Sequence, residues 1–138
     1  MRKRTQAREF ALQVLYQLDI TRDTPQDALD NFWSAQSDED IDGETRDFAC
    51  ALVVGVAGHL DEIDQKISKY AENWQLERMA VVDRNIMRMG CFELIFCADI
   101  PPKVSINEAV ELAKKFSGVE AGKFVNAILD KVKLEKEN

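Results

Sequence analysis

Apolar residues recur at steps of three and four along almost the whole chain, and no run alternates in the manner of a half-buried strand. Ala7, Phe10, Ala11, Val14, Leu15 and Leu18 form one stripe of an amphipathic first helix. Thr24-Pro25, an N-cap followed by proline at the first helical position, opens a second helix that buries Leu29, Phe32 and Trp33, with Asp27 at the positive end of its dipole. An acidic linker, Ser37 to Glu44, leads into a third helical region faced by Phe48, Leu52, Val53 and Val56. Gly58 marks a place where that region can break before Ile63, Ile67 and Tyr70 continue it.

Val81 to Cys97 is apolar on most faces, the signature of a helix packed centrally among others. Gly90 in its middle weakens the helix by about 1 kcal/mol relative to alanine, which points to close approach of a neighbour. Pro101-Pro102 stops the chain there, and Ser105-Ile106-Asn107-Glu108 reads as a capping box for the next helix, which ends at Ser117-Gly118. A final helix carries Phe124, Val125, Ile128, Leu129 and Val132. These patterns predict an all-α domain in two halves, about 1–73 and about 74–138, joined near Asn73 to Leu76.

Composition narrows the chemistry. With 138 residues, 46% of them hydrophobic, the chain can bury one ordinary core and matches a single soluble domain. Its longest apolar stretch, Ile86 to Phe96, is interrupted by Arg88 and Glu93 and is too short to cross a bilayer. Glu9, Gln13 and Gln17 break any secretory apolar region, which predicts a cytoplasmic protein. Cys50, Cys91 and Cys97 form no Cys-x-x-Cys pair and fit reduced core thiols. His59 stands alone, without the partners of a triad or metal site, and the glycines form no phosphate loop. The carboxylates from Asp23 to Asp47 lack the spacing of a calcium loop and fit a solvated acidic face. The expectation is therefore a non-enzymatic protein with no catalytic residue, no metal and no cofactor.

One feature runs against the net charge of −7: the chain opens with Arg2, Lys3, Arg4 and Arg8. A basic start on an acidic chain suits a local phosphate contact. Arg4, Arg8, Leu12 and Tyr16, spaced by four, are expected along one side of the first helix away from its core stripe, joining two guanidinium groups to an aromatic ring. Such a face suits single-stranded RNA, whose backbone takes arginine and whose unstacked bases take aromatic rings. The competing reading is an ordinary solvated N-terminus with a half-buried tyrosine.

Four separated segments, AREFALQVLYQLDI, VVDRNIMRMGCFEL, VSINEAVELAKKF and GKFVNAILDKV, resemble the NusB family of transcription antitermination proteins in order and spacing. Only the stretch from Arg22 to Asp47 departs from the likeness. The resemblance implies an all-α fold of two small helical bundles packed as one compact domain. It also implies a partner, the small-subunit ribosomal protein NusE, with which such proteins bind boxA RNA and help RNA polymerase resist termination on ribosomal RNA operons. Carried onto this chain, it assigns RNA contact to Arg2, Lys3, Arg4, Arg8, Tyr16, Lys123 and Phe124, although Phe124 also fits the apolar period. It assigns partner contact to Glu77, Asp83, Arg84 and Glu120, charges that suit a basic ribosomal protein.

Two other functions stay open at this level. One is a stand-alone relative of the NusB-like substrate-binding domain of RNA cytosine methyltransferases, which the lack of a cofactor domain after Asn138 disfavours. The other is a protein interaction adaptor that binds no RNA. Pairing with a second copy of the chain, a homodimer, is equally open, because a self-complementary helix face looks like any other apolar stripe. Salt dependence separates the RNA readings from the adaptor. A site neutralising about four phosphates of a single strand should give log affinity against log salt a slope of roughly −3, measured by titrating a labelled RNA at several ionic strengths.

Overall fold

The computed structural model describes residues 2–36, 40–72 and 75–137. Parts of the expected acidic linker (37–39) and of the expected joint (73–74) lie outside them. Among the described residues the chain is helical, as the spacing predicts, in the order α1 (Lys3–Thr21), α2 (Pro25–Ala35), α3 (Gly43–Gly58), α4 (Leu60–Tyr70), α5 (Val81–Phe96), α6 (Pro102–Phe116) and α7 (Val119–Glu137). A short 3₁₀ turn, Leu76–Arg78, precedes α5. No described helix is long and apolar enough to cross a membrane.

The chain folds as two compact units, Met1–Gly58 and His59–Asn138. The expected boundary near 73 is therefore too late. α3 ends at Gly58, His59 accepts the first backbone bond of α4 from Ile63 at 3.0 Å, and the fully buried Ile63 and Ile67 belong to the second unit, where α4 packs on α5 and α7. A helical period that continues through Tyr70 conceals this change of unit. His59 itself stacks on Phe96, ring centroids 4.0 Å apart, in a packing role.

In the first unit α1 lies against both α2 and α3. The Thr24 hydroxyl caps α2 by accepting from the Asp27 amide at 3.2 Å. Phe10, Phe32 and Trp33 meet edge-on or tilted with centroids 5.0–5.8 Å apart, an arrangement worth about 0.5–1.5 kcal/mol per pair beyond burial. The Trp33 indole N–H points to the Cys50 sulfur at 3.3 Å.

In the second unit α5 is surrounded by α4, α6 and α7 and is buried without interruption from Asn85 to Cys91. Gly90 provides the close approach predicted for it: a Cβ there would stand 2.6 Å from Leu129 Cδ1, and Leu129 is itself fully buried. The polar residues of α5 find partners. Arg88 donates to both oxygens of Asp64 on α4, at 2.8 and 2.9 Å, and to Asn85 at 3.2 Å. Buried Glu93 accepts from the Ser105 hydroxyl at 2.8 Å. That bond corrects the capping box. α6 starts at Pro102, whose fixed φ suits the first helical position, so Ser105 lies inside the helix and turns to α5 instead of the helix end. The far end of α6 is as expected, with Gly118 at φ +118 and the Ser117 and Gly118 amides both donating to Ala113. Cys50, Cys91 and Cys97 are free thiols, and burial pushes Cys91 up to about 12.

Glu135 on α7 ties α4 down by accepting from Lys66, Tyr70 and, at 3.3 Å, Lys69. The bonds from Lys66 and then Tyr70 hold its carboxyl at about 2, against an ordinary 4.5. Because the folded value lies below the unfolded one, the carboxylate favours the fold above about pH 4.5, and this contribution fades as pH falls toward 2. Glu135→Gln should therefore melt below the parent protein at neutral pH, with the gap closing between pH 5 and 2 in thermal melts followed by circular dichroism.

Candidate nucleic-acid interface

The basic start lies on the first two turns of α1, beside the start of α3. Arg2 is the exposed N-cap residue and accepts the first helical bond through its carbonyl. Asp42 fixes the opposite wall: its carboxylate accepts from the Glu44 amide at 2.9 Å and its carbonyl from the Arg46 amide at 3.0 Å, so α3 begins in a defined register. Lys3, Arg4, Glu44, Asp47 and Phe48 line an open cleft of about 380 Å³. The Lys3 ammonium stands 3.5 Å from Asp42 and 3.4 Å from Glu44, and its pKa is raised, first by Asp42 and then by Glu44. The Arg4 guanidinium lies over the Phe48 ring, 4.5 Å from its centre.

Arg8 departs from the expectation. It is 2% exposed, over the same Phe48 ring at 5.2 Å, and Leu12 below it is buried as well. The stripe Arg4, Arg8, Leu12, Tyr16 is therefore not a solvent face. α1 packs on two helices, and the arc it buries is wider than its leading apolar stripe. Arg4 and Tyr16, the latter 40% exposed, are the two ends of the stripe that reach solvent. They are about 18 Å apart along the axis at 1.5 Å per residue, a span of several nucleotides.

The second unit holds the remaining candidates. Lys123 and Glu120, both exposed, face each other at 3.4 Å on the first turn of α7, and Phe124 is half-buried beside them. Glu77 is exposed on the 3₁₀ turn, and Arg84 donates to the carbonyl of Leu76 in that turn at 3.1 Å. Asp83 accepts from the Ser117 hydroxyl at 2.6 Å, which ties the start of α5 to the turn between α6 and α7, three positions before Glu120. Glu77, Asp83, Arg84 and Glu120 are thus gathered at one end of this unit.

The family profile described as "NusB family" matches residues 5–133. The chain belongs to the NusB family. It is 50% identical to the transcription antitermination protein NusB of Myxococcus xanthus over 133 residues, 96% of this chain and 95% of the relative. Among solved structures, NusB of T. maritima is similar at a TM-score of 0.83 and 36% identity, covering 96% of this chain and 91% of that one. A crystal structure of antitermination factors NusB and NusE in complex with dsRNA contains a chain similar at a TM-score of 0.86 and 31% identity, with 98% of each covered. Arg2, Lys3 and Arg4 precede the residues matched to the NusB profile, whereas Arg8, Tyr16 and all candidates of the second unit fall within them.

Three parts of the candidate interface are not legible as such in the sequence. Phe48 reads as core, Asp42 and Glu44 as part of a solvated linker, and Ser117 as a helix stop. Only Phe48 carries a usable signal, an aromatic ring heading a helix in a protein with arginines to stack. The geometry separates the two arginines by experiment. Arg8→Ala should lower stability by about 1–2 kcal/mol, since a desolvated guanidinium over a ring is lost. Arg4→Ala should stay within about 0.5 kcal/mol of the parent, both read from urea denaturation.

Proposed function

We propose that this NusB-family protein is a transcription antitermination factor that binds boxA-containing RNA together with the ribosomal protein NusE and supports processive transcription of ribosomal RNA operons in the cytoplasm. It works by scaffolding, without turnover. The observation that carries this reading is the likeness, over nearly the entire length of both chains, to a NusB that occupies a complex with NusE and RNA. Relatives named as transcription antitermination proteins support the same role.

The residues divide the work by their chemistry. Arg2, Lys3 and Arg4 hold phosphates, and Arg8 supports Arg4 from beneath through the shared ring of Phe48. Tyr16 offers an exposed aromatic ring to a base further along the strand. Lys123 and Phe124 supply a second cation and ring. Glu77, Asp83, Arg84 and Glu120 face NusE, where carboxylates suit a basic partner and speed its docking.

Fluorescence anisotropy of a labelled boxA-like RNA, against a scrambled RNA at matched salt, tests this directly. Preferential binding that tightens with NusE is expected, with Arg4→Ala weakening it by about tenfold or less, as befits one charged contact. No preference between the RNAs in the presence of folded NusE would sink the boxA assignment.

A further inference from the structure

The cleft at the start of α1 is less cationic than its sequence suggests. Lys3 and Arg4 face Glu44 and Asp47 across it, and Asp42, just before α3, stands on Lys3. Two cations meet three carboxylates. The Lys3 ammonium already has two oxygens within 3.5 Å, one of them belonging to a side chain fixed by its own capping bond. We propose that Asp42 and Glu44 mask Lys3: they occupy its ammonium as internal stand-ins for phosphate and hold the affinity of the basic start for RNA below what its charge alone would give. The inference rests on the RNA-binding reading above.

Binding of RNA exchanges one set of charge contacts for another. An unpaired lysine meeting a phosphate releases a condensed counterion from the RNA at no other electrostatic cost. A lysine held by carboxylates must give them up, and they are then left beside an incoming phosphate of the same sign. The gain from that contact is largely cancelled, and so is its share of the salt dependence. The cancellation is blind to sequence, because every RNA brings the same phosphate. Its effect is to keep contact through the basic start alone weak, so that tight binding depends on base contacts and on the partner. Discrimination of this kind leaves an unwanted complex without net gain.

The test is a cycle of variants read by RNA titration over a range of salt. Asp42→Asn with Glu44→Gln keeps the shape of both side chains, and asparagine preserves the helix cap. Removing the two exposed ion pairs should tighten binding about fivefold at low salt, equally for a boxA-like and a scrambled RNA, and steepen the salt slope by about 0.7. Lys3→Ala should weaken binding less in the parent protein than in the amide background, where it should abolish the gain. Glu44→Gln alone, which leaves the cap untouched, should show part of the gain even where the double variant folds poorly.

An unchanged affinity in both Glu44→Gln and the folded double variant overturns the masking. So does a gain that survives Lys3→Ala, which would assign it to general repulsion by the acidic residues. Either result leaves RNA binding intact as long as the parent protein binds and Arg4→Ala weakens it. Failure of the parent to bind any RNA overturns the masking and the RNA-binding reading together.

Discussion

A helix buried on nearly every side must satisfy its polar side chains inside the protein, and in the second unit that demand on α5 fixes everything around it. Arg88 can be buried only with a carboxylate in bidentate range, which pins α4 through Asp64. Glu93 requires a donor and takes it from Ser105, which sets the rotation of α6. The missing side chain at Gly90 lets Leu129 of α7 settle against the backbone. Removing one partner of this largely buried pair leaves the other charge without its partner away from water, which costs more than an exposed pair contributes, so these contacts set register as well as stability. The tie between Asp83 and Ser117 then falls at a defined place, and the charged candidates around it inherit that order.

The first unit solves a similar problem with an aromatic ring. Arg8 is almost fully buried on α1, and the Phe48 π face is one partner that can receive its guanidinium. The same ring also carries Arg4, which remains at the surface. One side chain thereby links the core to the candidate interface: buried charge below, solvent-facing charge above. The acidic start of α3 is held against Lys3 by the same packing of α3 along α1.

The helices were legible because their evidence is local. The stripe from Ala7 to Leu18, the Thr24-Pro25 start, the glycine in α5 and the stop at Ser117-Gly118 each depend on residues within a few positions of one another. What failed depended on distant partners. Ser-x-x-Glu at 105–108 is a sound cap pattern, yet Glu93, twelve positions back, claims the hydroxyl. Arg8 lies off the leading apolar stripe, yet α3 covers it. Lys3 reads as an open cation until Glu44, 41 positions on, is brought to it. The type of each candidate residue was visible in the sequence; its electrostatic state depended on tertiary neighbours.

Burial of Cys91 has a consequence for the chemical durability of the chain. A thiol pushed up to about 12 is ionised in only about one molecule in 10⁵ at neutral pH, and the thiolate is the species that peroxides and electrophiles attack. The sulfur at the centre of the second unit is therefore chemically silent. It fills space as a small apolar group would, and oxidants that modify accessible thiols leave this packing position unaltered.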